Sequence, residues 1–359
     1  MPKLILLDAY AVIYRSYYAL IRSPRINSKG LNTSAVMGFC NTLNEVMVKE
    51  QPDYIGVAFD HGKTFRHEKF PAYKAQRQET PEDIKRSVPI IKDILGALRI
   101  PVLQEDGFEA DDVIGTLATK AGAQGILTYM LTPDKDYGQL IAENVKMYKP
   151  RHGGGYDIIG EQEVEDKYGI SSPSQVIDLL ALMGDSADNF PGCPGVGEKT
   201  AVKLIKQFGS VANLLENTAQ LKGKMKEKVE QATEDIKMSY FLATIRKDVP
   251  IDLDLETLKC QEPDKELLGK LFDELEFKSL AKKFIGSTDK QAKKAETQLD
   301  LFAEITSNGQ EAEKNVQYDT IKTIPHQYHL IENEEEAHKL CDFLRTKQIL
   351  SLDTETTST

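Results

Sequence analysis

Nine carboxylates, Asp8, Asp60, Glu109, Asp111, Asp112, Asp134, Asp136, Asp185 and Asp188, stand where one site could gather them. Three of them close short apolar runs: Asp8 after Leu4-Ile5-Leu6-Leu7, Asp60 after Ile55-Gly56-Val57-Ala58-Phe59, and Asp134 after the run from Ile126 to Leu131. In an open α/β sheet the ligand crevice lies beyond the carboxyl ends of the strands. Acids converging there repel one another unless divalent cations hold them. The pattern points to a metal-dependent enzyme acting on an anionic substrate. Hard cations want oxygen ligands, so a set without Cys or His suits two Mg²⁺ ions, with Mn²⁺ able to substitute. Such a pair would clamp the in-line attack of water on a phosphodiester, one ion activating the water and the other stabilising the leaving oxygen.

Each acidic cluster has a plainer local explanation. Glu109-Ala110-Asp111-Asp112 opens a predicted helix, where acids are favoured by the dipole alone. Asp134-Lys135-Asp136 follows a strand and could be an exposed turn. Gly184-Asp185-Ser186-Ala187-Asp188-Asn189 falls between helices and could be a capping loop. Those explanations must hold jointly for all three clusters and for Asp8 and Asp60, which favours a single site.

Directly after Asp60 comes a basic segment interleaved with aromatics, from Lys63-Thr64-Phe65-Arg66-His67 to Tyr73-Lys74-Ala75-Gln76-Arg77. Residues 61–78 hold five cations against the single acid Glu68, a local balance of +4. Cations there would meet phosphates approaching the metals, and rings could stack on unpaired bases. A second element is Phe190-Pro191-Gly192-Cys193-Pro194-Gly195-Val196-Gly197-Glu198-Lys199-Thr200-Ala201. It superficially resembles a P-loop, but Gly197 precedes Glu198 instead of Lys, and the stretch lies between helices. A helix–hairpin–helix fits better, with Gly195, Gly197, Lys199 and Thr200 presenting backbone N–H groups and a helix N-terminus to a DNA phosphate.

The elements that must position these residues alternate. Strands are expected at 3–8, 53–60, 100–104, 125–132 and 145–149, with helices at 33–49, 81–98 and 110–122 between them. That order implies a mostly parallel sheet covered on both faces. From about 160 the pattern turns helical, at 161–168, 173–183, 198–207, 210–216, 223–247 and 264–284. The expected fold is therefore α/β, a mostly parallel central sheet flanked by helices, with an α-helical extension carrying the hairpin. We place the catalytic α/β domain at 1–170, the helical DNA-binding region at 171–285 and a polar linker at 286–320. Residues 321–359 read as the start of a further domain, where apolar pattern resumes at Tyr328-His329-Leu330-Ile331, with a short helix at 334–346 and a strand at 349–352.

The chain has 359 residues, 40% of them hydrophobic and 28% charged, with a formal net charge of −11. Global charge governs solubility while binding depends on local distribution, so the total does not exclude nucleic acid. Cys40, Cys193, Cys260 and Cys341 are scattered without a CxxC pair, which suggests reduced thiols. No stretch approaches a membrane span, and the start is too brief for a secretory signal. A cytoplasm is the expected location.

Taken in order, these motifs resemble the 5′ nuclease domain of bacterial DNA polymerase I, a PIN-like fold similar to flap endonucleases. The resemblance covers about residues 3–285 and includes Phe65-Arg66-His67 and Tyr73-Lys74-Ala75. It implies one metal held by Asp8, Asp60, Glu109 and Asp111, and a second among Asp111, Asp134, Asp136 and Asp185, with Asp112 and Asp188 close by. It also implies a helical arch at 61–90 threaded by a 5′ single strand. Arg66, Lys74 and Arg77 would contact phosphates near the scissile bond, Arg66 and Lys74 serving catalysis with Asp111, and Tyr73 would stack. Arg15 is a further phosphate-contact candidate. One departure is Ala9-Tyr10, where many relatives carry Gly and a small or polar residue. Implied substrates are DNA 5′ flaps, nicks and RNA primers, cut by a monomer.

Gln298-Leu299-Asp300-Leu301-Phe302 resembles the short peptide by which bacterial replication proteins grip the sliding clamp, making Gln298, Leu299, Leu301 and Phe302 clamp-binding candidates. Asp353-Thr354-Glu355 resembles the first metal motif of a 3′–5′ exonuclease domain. Its other ligands would lie downstream, so no proofreading and loose packing from about 325 are expected, as in the N-terminal part of a longer enzyme. Two rivals remain. A phosphatase with an aspartyl nucleophile at Asp8 would need a second acid where Tyr10 stands. A non-catalytic, structure-specific DNA-binding module leaves the nine acids unexplained.

Overall fold

A computed structural model describes residues 1–151, 154–286, 331 and 333–346. The chain divides into two units, Met1–Lys290 and Gln291–Thr359. At the centre of the first is β1 (Lys3–Asp8), whose four consecutive buried aliphatics mark a strand covered on both faces. Successive side chains alternate. Leu4 and Leu6 enter one core with Val113 and Leu117, while Ile5 and Leu7 enter the other with Phe39, Leu43, Ile91 and Ile94.

The remaining strands are β2 (Tyr54–Ala58), β3 (Val102–Leu103), β4 (Leu127–Leu131), β5 (Val145–Pro150) and β6 (Tyr156–Ile159), in the order β3-β2-β1-β4-β5-β6. The first five run parallel. From β1 the chain builds outward to β3, then crosses back to place β4 on the other side of β1. The switch point thus lies between β1 and β4, where Leu7 pairs with Leu131. Ligands in open α/β sheets bind at that point, beyond the strand ends.

The sheet is covered by α1 (Ala9–Ala19), α2 (Ser34–Glu50), α4 (Glu82–Ala97) and α5 (Ala110–Ala123), while the short α3 (Phe65–Lys69) between β2 and α4 is held through Arg66 to Asp112 of α5 and to the Leu242 carbonyl. There follow α6 (Glu161–Tyr168), α7 (Val176–Met183), α8 (Glu198–Phe208), α9 (Val211–Glu216), α10 (Gly223–Gln231), α11 (Thr233–Ala243), α12 (Leu255–Leu258), α13 (Lys265–Glu274) and α14 (Lys278–Ile285). Leu179 of α7, Leu204 of α8 and Ile236 of α11 share the core of Leu4 and Leu6. Leu268 and Phe272 of α13 join the opposite one. The helical portion is therefore packed into the same two cores as the sheet.

Several expectations needed correction. Strand β6, antiparallel to β5, was not anticipated, nor was α1, which starts directly after Asp8. The helix expected over 223–247 is interrupted at Ala232 and ends at Ala243. That over 264–284 breaks where Glu276 takes the left-handed conformation, φ 62°. The helical arch expected at 61–90 is different again. Only α3 and turns occupy 61–81, and α4 is seated on the sheet by Ile84, Ile91 and Ile94.

In the second unit, α15 (Glu334–Leu344) is capped by the Asn333 side chain, which accepts from the Glu336 N–H at 2.9 Å. It buries none of its residues. Gln298, Leu299, Leu301 and Phe302, the strand expected at 349–352 and Asp353-Thr354-Glu355 lie outside the described residues. No helix among the described residues is long and apolar enough to cross a membrane.

Candidate functional site

The acids arrive from the strand ends and from one helix start. Asp8 ends β1 and caps α1, its Oδ1 accepting the Ala11 N–H at 3.0 Å. Asp60 follows β2, and its Oδ1 accepts the Ala110 N–H at 2.8 Å, which ties the β2 end to the first residue of α5. One residue on, Asp111 accepts from the Tyr137 hydroxyl at 2.7 Å. Asp134 follows β4 and caps the 3₁₀ turn Lys135–Leu140 by accepting the Asp136 N–H at 3.0 Å. Together Asp8, Asp60, Asp111, Asp134 and Asp188 line a cleft of about 590 Å³, with Lys74 and Arg77 on its wall.

Burial dominates the electrostatics of this set. It pushes Asp8 up to about 7, with Asp60 and Asp134 adding repulsion. Asp136 rises to about 8, through burial first and then the neighbouring Asp134. Asp60, Asp111 and Asp134 are also raised, again chiefly by burial. Oδ1 of Asp136 has no hydrogen-bond partner, the one such buried side-chain atom among the described residues. Excess negative charge on hard oxygens, one of them orphaned, is a donor set that divalent cations satisfy. As they stand, no three His, Cys, Asp or Glu among the described residues form a closed coordination group. Like charges spread apart, and cationic side chains hold those at the rim.

Four acids have such partners. Asp188 Oδ1 accepts from Arg77 at 2.5 Å, and its Oδ2 takes the Tyr73 hydroxyl at 3.2 Å. Glu109 is buried and accepts from Lys74 Nζ at 2.8 Å and from Tyr73 at 3.0 Å. Burial alone would lower the proton affinity of Lys74, but Glu109, Asp188 and Asp111 outweigh it and keep it charged. Asp185 accepts from Lys135 at 2.9 Å. Burial there is outweighed by Lys135 and the Ala187 N–H, so its carboxyl sits below the usual range. Asp112, fully buried, receives a bidentate fork from Arg66 at 2.7 and 2.8 Å.

Three sequence expectations do not match this placement. Arg66 is 2% exposed and spends its remaining donors on Glu109 and on the Leu242 and Thr244 carbonyls, so no edge faces a phosphate. Asp112 is saturated by Arg66 and by the N–H groups of Glu109 and Arg246, leaving nothing for a metal. Tyr73 is buried with its hydroxyl behind Glu109, so its ring is not open to a base. Lys74 and Arg77 do face the cleft. Their segment is clasped to the 185–189 loop: the Lys74 N–H donates to the Asp188 carbonyl at 2.9 Å, and Asn189 Nδ2 to the Ala72 carbonyl at 2.6 Å. Lys74 adopts φ 56° there, a left-handed conformation unusual outside glycine.

The hairpin forms between α7 and α8. At Gly192, φ 63°, a Cβ would lie 2.3 Å from the Gly184 nitrogen, so only glycine fits. Gly195, Gly197 and Lys199 are exposed and Thr200 half-buried in the first turn of α8, a surface open to an anion. Arg15 is exposed on α1 and donates to the Arg151 carbonyl at 2.9 Å. Sequence reasoning gave no role to Tyr137, Lys135, Thr132 or the cleft-wall residue Tyr14, and named Tyr10 only as a departure beside Asp8. Thr132 Oγ1 lies 3.5 Å from Asp8 and accepts the Asp134 N–H. The position of Tyr137 directly behind Asp136 was the available signal.

Family models match in the same order. One, for the N-terminal resolvase-like domain of 5′-3′ exonucleases, covers residues 3–169, and another, for their C-terminal SAM fold, covers 171–266. DNA polymerase I of Bacillus caldotenax is 41% identical over 295 residues, 81% of this chain and 33% of that protein. The chain thus spans about a third of the length of the curated DNA polymerases I it matches. A 5′-3′ exonuclease of Aquifex aeolicus (strain VF5) is 40% identical over 283 residues, 79% of this chain and 95% of that protein. Among solved structures, the T5 D15 protein co-crystallised with metal ions aligns with a TM-score of 0.56 at 19% identity, over 78% of this chain and 99% of that one. The catalytic core of Rad2 in complex with DNA substrate aligns at 0.51 and 18%, over 76% and 88%. These two likenesses speak to the fold. With both family domains in sequence and a relative of similar length matched almost end to end, the chain belongs to the 5′-3′ exonuclease family.

Proposed function

We propose that this protein is a metal-dependent, structure-specific 5′ nuclease that hydrolyses phosphodiesters at DNA 5′ ends, flaps and nicks and removes RNA primers. The observation that carries the reading is the convergence of Asp8, Asp60, Asp111 and Asp134 on one cleft at the switch point of the sheet. Asp8, Asp60 and Asp111, joined by Glu109 once Lys74 turns to the phosphate, would hold one Mg²⁺ and Asp111, Asp134, Asp136 and Asp185 a second, with Mn²⁺ able to substitute. When bound, such ions lower the pKa of a water nucleophile and stabilise the departing oxygen.

The protein's own side chains would do the rest. Lys74 and Arg77, on the cleft wall, exchange carboxylate partners for the incoming phosphate and hold it by charge-assisted bonds. Lys135 releases Asp185 in the same exchange. Tyr10 and Tyr14, whose rings lie 6.3 Å apart at the cleft, give an unpaired end a surface for stacking. Gly195, Gly197 and Lys199 take duplex phosphates without reading bases, so selection is by structure. The similarity to DNA polymerase I at 41% identity further supports placing this activity in primer and patch removal. A clamp contact through Gln298–Phe302 is part of the proposal. Deleting 298–302 is expected to weaken binding to a clamp ring, and unchanged binding would remove it.

The test is a labelled 5′-flap duplex. Cleavage in Mg²⁺ that stops in chelator is expected. An intact flap in Mg²⁺ and in Mn²⁺, or equal cutting in chelator, would overturn the reading.

A further inference from the structure

An irregular strap follows α11, and side chains from α3, α5 and the turn after β4 take up peptide groups of the last turn of α11 and of the strap. Arg66 donates to the carbonyls of Leu242 and Thr244, Asp112 accepts the Arg246 N–H, and Thr116 accepts the Val249 N–H at 3.2 Å. One residue in this set also touches the acidic turn. Gln139, 2% exposed, donates from Nε2 to the Ala243 carbonyl at 2.9 Å and to the Asp136 carbonyl at 3.0 Å, and its Oε1 accepts the Ile245 N–H at 2.9 Å. All the polar atoms of a single carboxamide are used, on two segments more than a hundred residues apart. α11 itself is tied to the glycine hairpin, since Ser239 Oγ accepts the Gly192 N–H at 2.8 Å.

We infer that Gln139 is a positioning residue: it pins the backbone of Asp136 to the strap after α11 and so fixes where the orphaned Asp136 carboxylate points. The inference rests on the metal-dependent reading above. Only a carboxamide meets the demand. A carboxylate would set a negative oxygen against two carbonyls, and a thioether would leave Ala243 O and Ile245 N buried without partners. Residues that orient a metal ligand from behind commonly matter for affinity nearly as much as the ligand does.

The test compares Gln139→Glu and Gln139→Met with Thr116→Val in the full chain. Thr116→Val removes strap bonds without touching Asp136, and so reports what loosening the strap alone does. Mn²⁺ binding without DNA, followed by electron paramagnetic resonance, is expected to weaken by roughly 10–100-fold in both Gln139 variants. Thr116→Val should bind Mn²⁺ like the parent protein, at a temperature where circular dichroism shows all of them folded. Flap cleavage by the Gln139 variants should recover as Mn²⁺ is raised, which a general loss of structure would not allow. If Gln139→Met does not fold, Gln139→Glu, which keeps the bond to Ile245, decides alone. Unchanged Mn²⁺ isotherms in the folded Gln139 variants, or an equal weakening in Thr116→Val, would overturn the assignment. A parent protein that neither binds Mn²⁺ nor cuts a flap would overturn the nuclease reading first, a distinguishable result.

Discussion

Asp111 and Asp112 are neighbours in the chain and differ in almost every physical respect. Consecutive helical residues point about 100° apart, so the first turn of α5 sends Asp111 into the cleft and Asp112 into the protein. Asp111 has a tyrosine hydroxyl for company and a strongly raised proton affinity, from burial first and Asp8 next. Asp112 has a bidentate guanidinium and two backbone N–H groups. The contrast extends to two regions. On the cleft side Asp8, Asp60, Asp111, Asp134 and Asp136 carry charge their surroundings do not neutralise. On the inner side Asp112 closes with Arg66 and two backbone N–H groups into a network that needs nothing added, while Glu109 is matched by Arg66, Tyr73 and Lys74. Only the first region is left with acid that its surroundings do not match.

Charge-removing substitutions should therefore act oppositely in the two regions. Asp111→Asn is expected to lower flap cleavage by about 10³-fold or more, because several kcal/mol of transition-state stabilisation goes with a ligand and each 1.4 kcal/mol is tenfold. In chelator the same variant should unfold no more easily than the parent, since it removes repulsion. Urea titration checks the second half; a clear loss of stability would place Asp111 with Asp112. On the inner side, Arg66→Ala should cost about 3–5 kcal/mol by leaving Asp112 buried without its partner. Its remaining folded fraction should still take up Mn²⁺. Normal stability would mean that Arg66 is free for substrate after all.

Lys74 stands on the border, bonded to Glu109 yet facing the cleft. Lys74→Ala is expected to slow cleavage at saturating flap by roughly 10²–10³-fold, the usual cost of a donor aimed at developing charge. Duplex affinity in chelator should change far less. Equal losses in both would make Lys74 a general phosphate contact.

The strand-end acids were legible because β1, β2 and β4 are short, mainly apolar runs, and a parallel sheet leaves its sites beyond such runs. β6 was not, since at the sheet edge Asp157 and Ile158 are exposed and no periodicity survives in four residues. Helix α1 was hidden because Asp8 reads as the end of a strand and is also a helix cap. Arg66 misled for a different reason. A basic residue in a basic run reads as solvent-facing, while its partners Asp112 and Leu242 lie 46 and 176 residues away. Burial of a charge is decided by tertiary pairing, which no local pattern records. Gln139 escaped notice similarly, through contacts 104 and 106 residues off.

The smallest expected effect compares the two regions without any mutation. In the fold, Asp8 and Asp136 hold protons up to about 7 and about 8, against an ordinary value of 3.8. A folded chain that binds more protons than the unfolded one is favoured at low pH. In chelator, the stability linked to these groups is fully present below about pH 4 and lost as pH climbs through 7 and 8. Asp185 has the opposite sign: its lowered value gives stability that is lost only as pH falls below 3.8, outside a scan from pH 5 to 8.5. Arg66 adds no slope there, as its guanidinium stays charged. The melting midpoint in chelator should thus fall on going from pH 5 to 8.5, by roughly 2–4 °C for each kcal/mol lost. Saturating Mg²⁺ should flatten the slope, because cations replace the protons that the cleft otherwise retains. A midpoint that is level or rising across that range in chelator would mean the cleft acids are already as well neutralised as Asp112, and the distinction between the two regions would fail.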